Sequence, residues 1–556
     1  MVSKNKIFFL IVIGWVFAFV VIQLSQTLYG DEARYLTVAW DMHVSGNYIL
    51  PQLNFSPYSE KPPMLFWLIN LFWSIFGINI FAARMVTLLF GLGSIYLTYA
   101  LAKLLWPNDE KVWLYSELGF SGCIIFVGMG HLIAVDAILV FWVLLGTVAY
   151  ISILLNRGNK LLLWGVYTLS LGFALLTKGP VAFIHLTIMP MIAPFWYKSN
   201  NYNWKRWYLA LVIATIFGIS IVLAWAIPAA LNGGDLYTRR IFFDQTVYRI
   251  IYYEGSNGVA NHFIPPHAQP FFFYFVLLPI LFYPWGWWLG FYKQLFKSKI
   301  FIESWQGKYL IYFMLIALVI FSLIKTKQPH YLLPELSIFS LVFFKIIISN
   351  LTQDNKYNNL CILLILPVFI IFSIMFFDYH KEILFNHKLV MIFELCVFCT
   401  VLYLLTKKFT TEQQIILIWC FTIISTFVAT RLPFHNKFSV PAYNKFITNN
   451  SLVYESSHDS IFGFLQRVTH QVPVVGMQDI DNWLLANKDS EVLVVRKILK
   501  DGSLPTLPAF KNSYIANEVL DFGRVAFVVK YCDQTLKKCD NYQINDWVGK
   551  QNDKKQ

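Results

Sequence analysis

The sequence predicts an all-α polytopic membrane protein with about thirteen transmembrane helices, followed by a small soluble α/β domain. The chain has 556 residues, of which 57% are hydrophobic and 13% are charged. Because soluble proteins carry roughly 25% charged residues, this composition excludes an ordinary soluble protein. A membrane-spanning helix needs ~20 mostly apolar residues, and such segments recur as far as residue 431. From about residue 435 the apolar residues occur in the short runs that are typical of strands.

Each of the long apolar segments is predicted to span the membrane. The first is too long for the apolar core of a signal peptide, so we expect it to remain as a helix. The segments lie near residues 7–29, 79–105, 114–131, 133–155, 161–176, 180–197, 207–231, 271–292, 307–324, 331–350, 359–377, 389–406 and 414–431.

The connecting and C-terminal segments add further elements. Residues 30–78 contain a polar helix predicted over 31–45 and an amphipathic stretch that we expect to lie along the membrane surface. After residue 435, "SLVYES", "EVLVVRKIL" and "RVAFVVKY" predict strands, and "HDSIFGFLQRV" and "IDNWLLAN" predict helices. We therefore divide the chain into a membrane domain, 1–434, and an α/β domain, 435–556.

Lys and Arg are concentrated in alternate short loops, which predicts that these loops and the N-terminus are cytoplasmic. The other loops, which hold Asp31, Asp235 and Asp244, then lie on the outer face. With an odd number of spans, the C-terminal domain also lies outside. The net charge of +13 is accordingly assigned to cytoplasmic loops and anionic lipid rather than to nucleic acid.

Ionisable residues collect on the predicted outer face, and we call this set the predicted outer site. Several Lys and Arg with few carboxylates suit a phosphate-bearing ligand, and a carboxylate among them suits a base or a positioning group. A phosphate-linked lipid fits such a site because its tail stays in the bilayer. The set comprises Asp31, Glu32, Arg34, Glu60, Lys61, Asp136, Lys178, Asp244, Arg249, His262, His267, Lys325, Lys327, His330 and Tyr331.

Each candidate also has a plain structural explanation. Asp31 and Arg34 are three residues apart and could simply pair on one helical face. Glu60 and Lys61 could form a solvated turn, Asp136 could bond neighbouring helices, and Lys178 could end a helix before a turn. His262 and His267 could bind a metal with Glu60 or make ordinary polar contacts. Their shared side of the membrane favours the functional interpretation.

Several of these residues fall in ordered motifs. They occur in "DEARY", "YSEKPPMLF", "VDAILVFW", "LLTKGP", "HAQPFFFYFVLLPILFYPW" and "KTKQPHYLLPELS". In this order the motifs resemble the lipid A aminoarabinose transferase group of the GT-C membrane glycosyltransferases, over about residues 1–350. The sequence after Pro62 differs from that of the group, which leaves the identity of the sugar open.

The resemblance implies a monomeric inverting enzyme of the bacterial inner membrane. Its donor would be a sugar, such as 4-amino-4-deoxy-L-arabinose, on undecaprenyl phosphate, and its acceptor a lipid A phosphate at the periplasmic face. Asp31 would be the catalytic carboxylate, with Glu32 beside it, and Glu60 with His262 or His267 could hold zinc. Substrate and phosphate contacts would come from Arg34, Tyr58, Lys61, Asp136, Lys178, Arg249, Lys327 and Tyr331.

Two other functions remain open. A related polyprenyl-phosphate sugar transferase could act on protein Ser/Thr or on another glycan. A lipid or sugar transporter is a third class, but transporters place ionisable residues near the membrane midplane, usually with inverted repeats, and the sequence has neither feature.

Two cysteines, Cys532 and Cys539, lie in the polar C-terminal segment. In an oxidising compartment they could close a short disulfide loop, and in a reducing one they would be free thiols.

The predicted topology can be tested with a reporter fused after residue 440. We expect the fusion to report a periplasmic location, because the basic loops alternate and the number of spans is odd. A cytoplasmic reading would mean that a span has been miscounted and would remove the basis for the Cys532–Cys539 disulfide.

Overall fold

The computed structural model describes residues 4–23, 30–53, 56–199, 202–244, 269–324, 326–350, 410–431, 451–455, 480–486, 488–489, 491–497, 513–521 and 524–531. The elements are mostly helical. The helices are α1 (Lys4–Gln23), α2 (Gly30–Ser45), α3 (Met64–Phe76), α4 (Ile80–Leu105), α5 (Glu110–Ser121), α6 (Ile124–His131), α7 (Val135–Leu154), α8 (Lys160–Lys178), α9 (Val181–Met191), α10 (Ala193–Trp196), α11 (Trp204–Arg239), α12 (Phe273–Leu281), α13 (Leu289–Lys297), α14 (Lys299–Glu303), α15 (Trp305–Leu323), α16 (Leu333–Asn350), α17 (Thr411–Arg431) and α18 (Ile480–Ala486). The strands are β1 (Gln52–Leu53), β2 (Ser56–Pro57), β3 (Ser451–Glu455), β4 (Glu491–Lys497), β5 (Ser513–Asp521) and β6 (Arg524–Tyr531).

The chain divides into two compact units. The first unit contains Met1–Ser25, Gly46–Pro51 and Pro57–Phe434. The second contains Gln26–Ser45, Gln52–Ser56 and His435–Gln556. The polar helix α2 is thus grouped with the C-terminal residues, although it stands between membrane segments in the sequence.

The prediction of a multi-pass membrane protein is confirmed. Among the described residues, seven helices are long and apolar enough to cross a membrane, or eight if the pair α5–α6, bent by 65°, is one span. The predicted spans near 359–377 and 389–406 lie outside the described residues, so the total of thirteen stays a prediction. The seven are α1, α4, α7, α8, α11, α15 and α16.

The predicted span near 271–292 is not a single helix. Helix α12 ends at Leu281, a 3-10 turn follows at Trp285–Trp287, and α13 begins at Leu289. Pro284 lies in the break and explains it, because proline has no N–H for the helical hydrogen bond. The predicted span near 180–197 is likewise divided, here at Ile192, into the short helices α9 and α10.

Helices α7 and α8 form the antiparallel pair that positions the site. Asn159 begins α8 by accepting hydrogen bonds from the backbone N–H groups of Leu161 and Leu162. Glycine lets α8 approach its neighbours, since a Cβ at Gly146 of α7 would lie 3.2 Å from Cβ of Ser170 of α8. The C-terminal end of α8 is therefore next to the N-terminal end of α7.

The second unit contains a four-stranded sheet in the order β3-β4-β6-β5. Strands β3 and β4 are parallel, whereas β6 pairs antiparallel with both β4 and β5. The predicted strands are present as β3, β4 and β6, and "IDNWLLAN" contains α18. Strand β5 was not predicted. The predicted helix "HDSIFGFLQRV" lies outside the described residues, and a separate soluble domain over 435–556 stays a prediction.

Candidate functional site

A buried ion pair joins the adjacent ends of α7 and α8. Asp136 lies in the first turn of α7 and Lys178 is the last residue of α8. The Lys178 ammonium donates to Oδ1 of Asp136, and each side chain is only 7% exposed. Helix α8 ends at this point because Gly179 adopts a positive φ of 68° and Pro180 follows. The end of helix α8 thus places Lys178 opposite the Asp136 carboxylate.

Further groups from the turn before α16 surround this ion pair. The Nε2 atom of His330 lies 3.8 Å from Oδ2 of Asp136. The ring of Tyr331 lies 4.4 Å from the Lys178 ammonium, a cation–π contact. Lys61 also interacts electrostatically with Asp136. With Lys61 and Lys178 charged and Asp136 ionised, the cluster keeps a net positive charge, which rises further when His330 is protonated. We call Asp136, Lys178, His330, Tyr331 and Lys61 the Asp136 cluster.

The segment that carries Lys61 is fixed by backbone and indole hydrogen bonds. The Tyr58 N–H donates to the carbonyl of Pro51 at 2.8 Å, and the Tyr58 ring packs edge-on against Phe66. Trp67 and Trp225 donate their indole N–H groups to the carbonyls of Tyr48 and Ile49. Tyr58 is buried, whereas Glu60 and Lys61 are half-buried at the end of this segment.

Lys327 occupies a separate buried position in the turn between α15 and α16. Its ammonium donates to the carbonyl of Gln269 at 2.9 Å. Burial lowers the pKa of the Lys327 ammonium below its ordinary value. The hydroxyl of Tyr274 donates to the carbonyl of Gln328 at 3.0 Å, which anchors the same turn to α12.

Helix α2 of the second unit carries the acidic pair of the "DEARY" motif. The Arg34 guanidinium donates to Oδ1 of Asp31 at 2.7 Å, which is the local pairing that the three-residue spacing allows. The Asp31 side chain is 65% exposed, whereas Arg34 is 15% exposed and lies over the ring of Tyr35. Glu32 is buried. These contacts leave the catalytic role of Asp31 a prediction.

Some predicted site residues lie outside the part of the chain that the structure describes. They are Arg249, His262, His267 and Lys325. Of the predicted zinc ligands, Glu60 alone is described. Among the described residues, no group of three His, Cys, Asp or Glu side chains is placed to hold a metal ion. The proposed zinc set therefore stays a prediction.

Several ionisable side chains buried in the membrane helices were not among the predicted site residues. Arg84 of α4 and Glu117 of α5 are buried, as are His185 of α9 and Glu335 of α16. A search for ionisable residues within the apolar segments would have found them, because such residues are costly in a membrane and are usually functional.

Removing one member of the buried ion pair should destabilise the protein more than removing both. Asp136→Ala leaves Lys178 buried without its partner, which we expect to cost about 3–5 kcal/mol. The double variant Asp136→Ala/Lys178→Met should recover most of this loss. Thermal denaturation of the detergent-solubilised full-length protein measures the effect, and additive losses in the double variant would contradict a coupled pair.

Part of the chain is similar in sequence to known proteins. Residues 60–225 match a family described as dolichyl-phosphate-mannose-protein mannosyltransferase. A curated relative named undecaprenyl phosphate-alpha-4-amino-4-deoxy-L-arabinose arabinosyl transferase 2, from Pseudomonas fluorescens (strain Pf0-1), is 28% identical over 312 residues, which are 55% of this chain and 52% of that protein. The protein of the same name from Proteus mirabilis (strain HI4320) is 27% identical over 313 residues, with 55% and 52% covered. The chain thus spans about half the length of these relatives.

Solved structures extend the similarity. The crystal structure of ArnT from Cupriavidus metallidurans bound to undecaprenyl phosphate matches with a TM-score of 0.70 and 16% identity, over 95% of this chain and 98% of that one. The apo structure of the same protein matches with a TM-score of 0.66, also at 16% identity, over 93% and 97%. These comparisons find proteins of the group that the motifs resemble, and the chain shares the fold of the ArnT structures over nearly its whole length.

Proposed function

We propose that this protein is an inverting glycosyltransferase of the bacterial inner membrane. In this proposal it moves 4-amino-4-deoxy-L-arabinose from undecaprenyl phosphate to a lipid A phosphate at the periplasmic face. The observation that carries the proposal is the Asp136 cluster, in which one carboxylate holds several cationic groups at one end of the helix bundle. The names of the arabinosyl transferase relatives support the choice of sugar and carrier.

The charge of the cluster suits the phosphate of the donor. Lysine ammonium groups neutralise phosphate oxygens through charge-assisted hydrogen bonds. Lys178 is held between Asp136 and the Tyr331 ring, so we assign it a positioning role at the edge of the phosphate site. Lys61 is half-buried in the segment before α3, and we assign it the direct phosphate contact.

The reaction requires little acid catalysis. The bond between the anomeric carbon and the donor phosphate oxygen breaks, and an oxygen of the lipid A phosphate forms the new bond from the opposite face. Polyprenyl phosphate leaves with the electron pair and needs no proton, since cations stabilise it. The acceptor phosphate is already anionic near neutral pH, so it needs no base.

Asp31 is proposed as the catalytic carboxylate because it opens the "DEARY" motif and keeps an exposed side chain. Its negative charge would stabilise the positive charge that develops on the sugar ring. Arg34, which pairs with it, would orient the carboxylate and contact phosphate. A zinc ion, held by Glu60 with His262 or His267, would supply further positive charge beside the phosphate.

A second candidate function has its own support. The match of residues 60–225 to protein mannosyltransferases favours transfer of a hexose to a Ser/Thr hydroxyl or to a glycan. A hydroxyl acceptor must lose its proton, so Asp31 would then act as a general base, a role worth typically ~10²–10⁴ in rate.

Substitutions at Asp31 and Lys61 test the assigned roles. Asp31→Asn should leave the protein folded but abolish transfer, because the amide carries no charge. Lys61→Ala should weaken donor use more than Lys61→Arg, because a cation is needed at this position. Transfer from undecaprenyl-phosphate-linked sugar to lipid A is measured in proteoliposomes with donor titrated. Wild-type activity in Asp31→Asn would refute its catalytic role, and equal donor KM values for wild type and both Lys61 variants would place phosphate binding elsewhere.

Loss of the gene tests the acceptor. Each transferred amino sugar adds a positive charge to a lipid A phosphate and weakens the attraction of cationic peptides. We expect cells without the gene to lose the modified lipid A mass and to become more sensitive to polymyxin-like peptides, most strongly at low salt, where screening is weakest. Unchanged lipid A together with a lost protein or glycan modification would instead establish the second candidate function.

A further inference from the structure

A second ionisable pair lies buried in the first unit, and the function proposed above assigns it no role. It consists of His185 of α9 and Glu335 of α16, whose side chains are 0% and 2% exposed. Nδ1 of His185 lies 2.8 Å from Oε1 of Glu335, although the two atoms are not aligned as a hydrogen bond. Within the described part of the chain, Nε2 of His185 and Oε2 of Glu335 have no hydrogen-bond partner.

This pair is close in sequence to two residues of the Asp136 cluster. Glu335 follows Tyr331 by four residues, which is about one helical turn, and His185 follows Lys178 across the Gly179–Pro180 turn. The ring of Phe321 connects the two layers, because its centroid lies 5.3 Å from that of His185 and 6.2 Å from that of Tyr331. A displacement of α9 relative to α16 would therefore alter the contact between the Lys178 ammonium and the Tyr331 ring.

Stability alone does not account for such a pair. Replacing a buried ion pair with apolar side chains of similar volume is often neutral or stabilising, because the desolvation cost disappears. What the pair supplies is geometric: the 2.8 Å contact between His185 and Glu335 is satisfied by one placement of α9 against α16. Apolar side chains at these two positions would instead tolerate several placements of α9 against α16.

We propose that His185 and Glu335 are positioning residues that hold α9 and α16 in register, so that Lys178 remains between Asp136 and the Tyr331 ring. The proposal rests on the assignment of the Asp136 cluster to the donor site. A small displacement changes the attraction between a cation and a phosphate gradually, since Coulomb energy varies as 1/r. The same displacement affects the reaction rate steeply, because 1 Å of misplacement can cost ~10²-fold.

The decisive variant replaces both residues, as His185→Leu/Glu335→Met. We expect this double variant to melt no lower than wild type. Its kcat should fall at least ~tenfold while its donor KM changes little. The exchanged variant His185→Glu/Glu335→His restores opposite charges and should recover kcat if it folds. Wild-type kcat in the Leu/Met variant, or a loss of kcat accompanied by a lower melting temperature, would overturn the proposal.

A matched control comes from another buried polar contact of α16. The hydroxyls of Thr98 and Ser337 are 2.8 Å apart, and Ser337 is two residues from Glu335. Thr98→Val/Ser337→Ala removes this contact without touching the Asp136 cluster, so kcat should remain that of wild type.

A substrate-free readout separates this proposal from the proposed function. Hydrogen exchange of the backbone amides in the turn Pro329–Leu332 should be faster in the Leu/Met variant than in wild type or in the Thr98/Ser337 control. If wild type transfers no sugar, the proposed function fails, and unchanged exchange in this turn would then refute the positioning role by itself.

Discussion

The ion pair between Asp136 and Lys178 is the interaction on which the candidate site depends. It joins residues 42 positions apart in the sequence and closes the end of the α7–α8 helix pair. Because both groups are buried, each needs the other, and neither can move without exposing an uncompensated charge to a poorly solvated environment. His330 and Tyr331 lie against this pair.

Neutral hydrogen bonds hold the segments around this ion pair. Indole N–H groups of Trp67 and Trp225 bind backbone carbonyls of residues 48–49, and Tyr274 binds the backbone of Gln328. Such bonds fix backbone position without changing the local charge. They add no charge to the Asp136 cluster.

The sequence was informative where a local pattern has one physical meaning. Long apolar runs predicted the spans, and the charged residues beside them predicted a polar outer site that includes Asp136, Lys178 and Lys61. The sequence could not reveal which partners meet, because Asp136 and Lys178 are brought together only by the packing of two helices. The break in 271–292 was missed because the apolar side chains on both sides of Pro284 outweighed that proline. His185 and Glu335 were missed because each stands alone in an apolar run.

The close packing of α8 against α11 has a consequence for the genetics of this protein. A Cβ at Gly172 would lie 2.7 Å from Cδ1 and 2.9 Å from Cβ of Ile221, so any larger residue at this position must push the two helices apart. Gly172 lies six residues, or about 9 Å along the helix, from Lys178. A displacement of helix α8 at Gly172 would therefore also move Lys178. A missense mutation can therefore disturb the Asp136 cluster without changing any residue of the cluster itself.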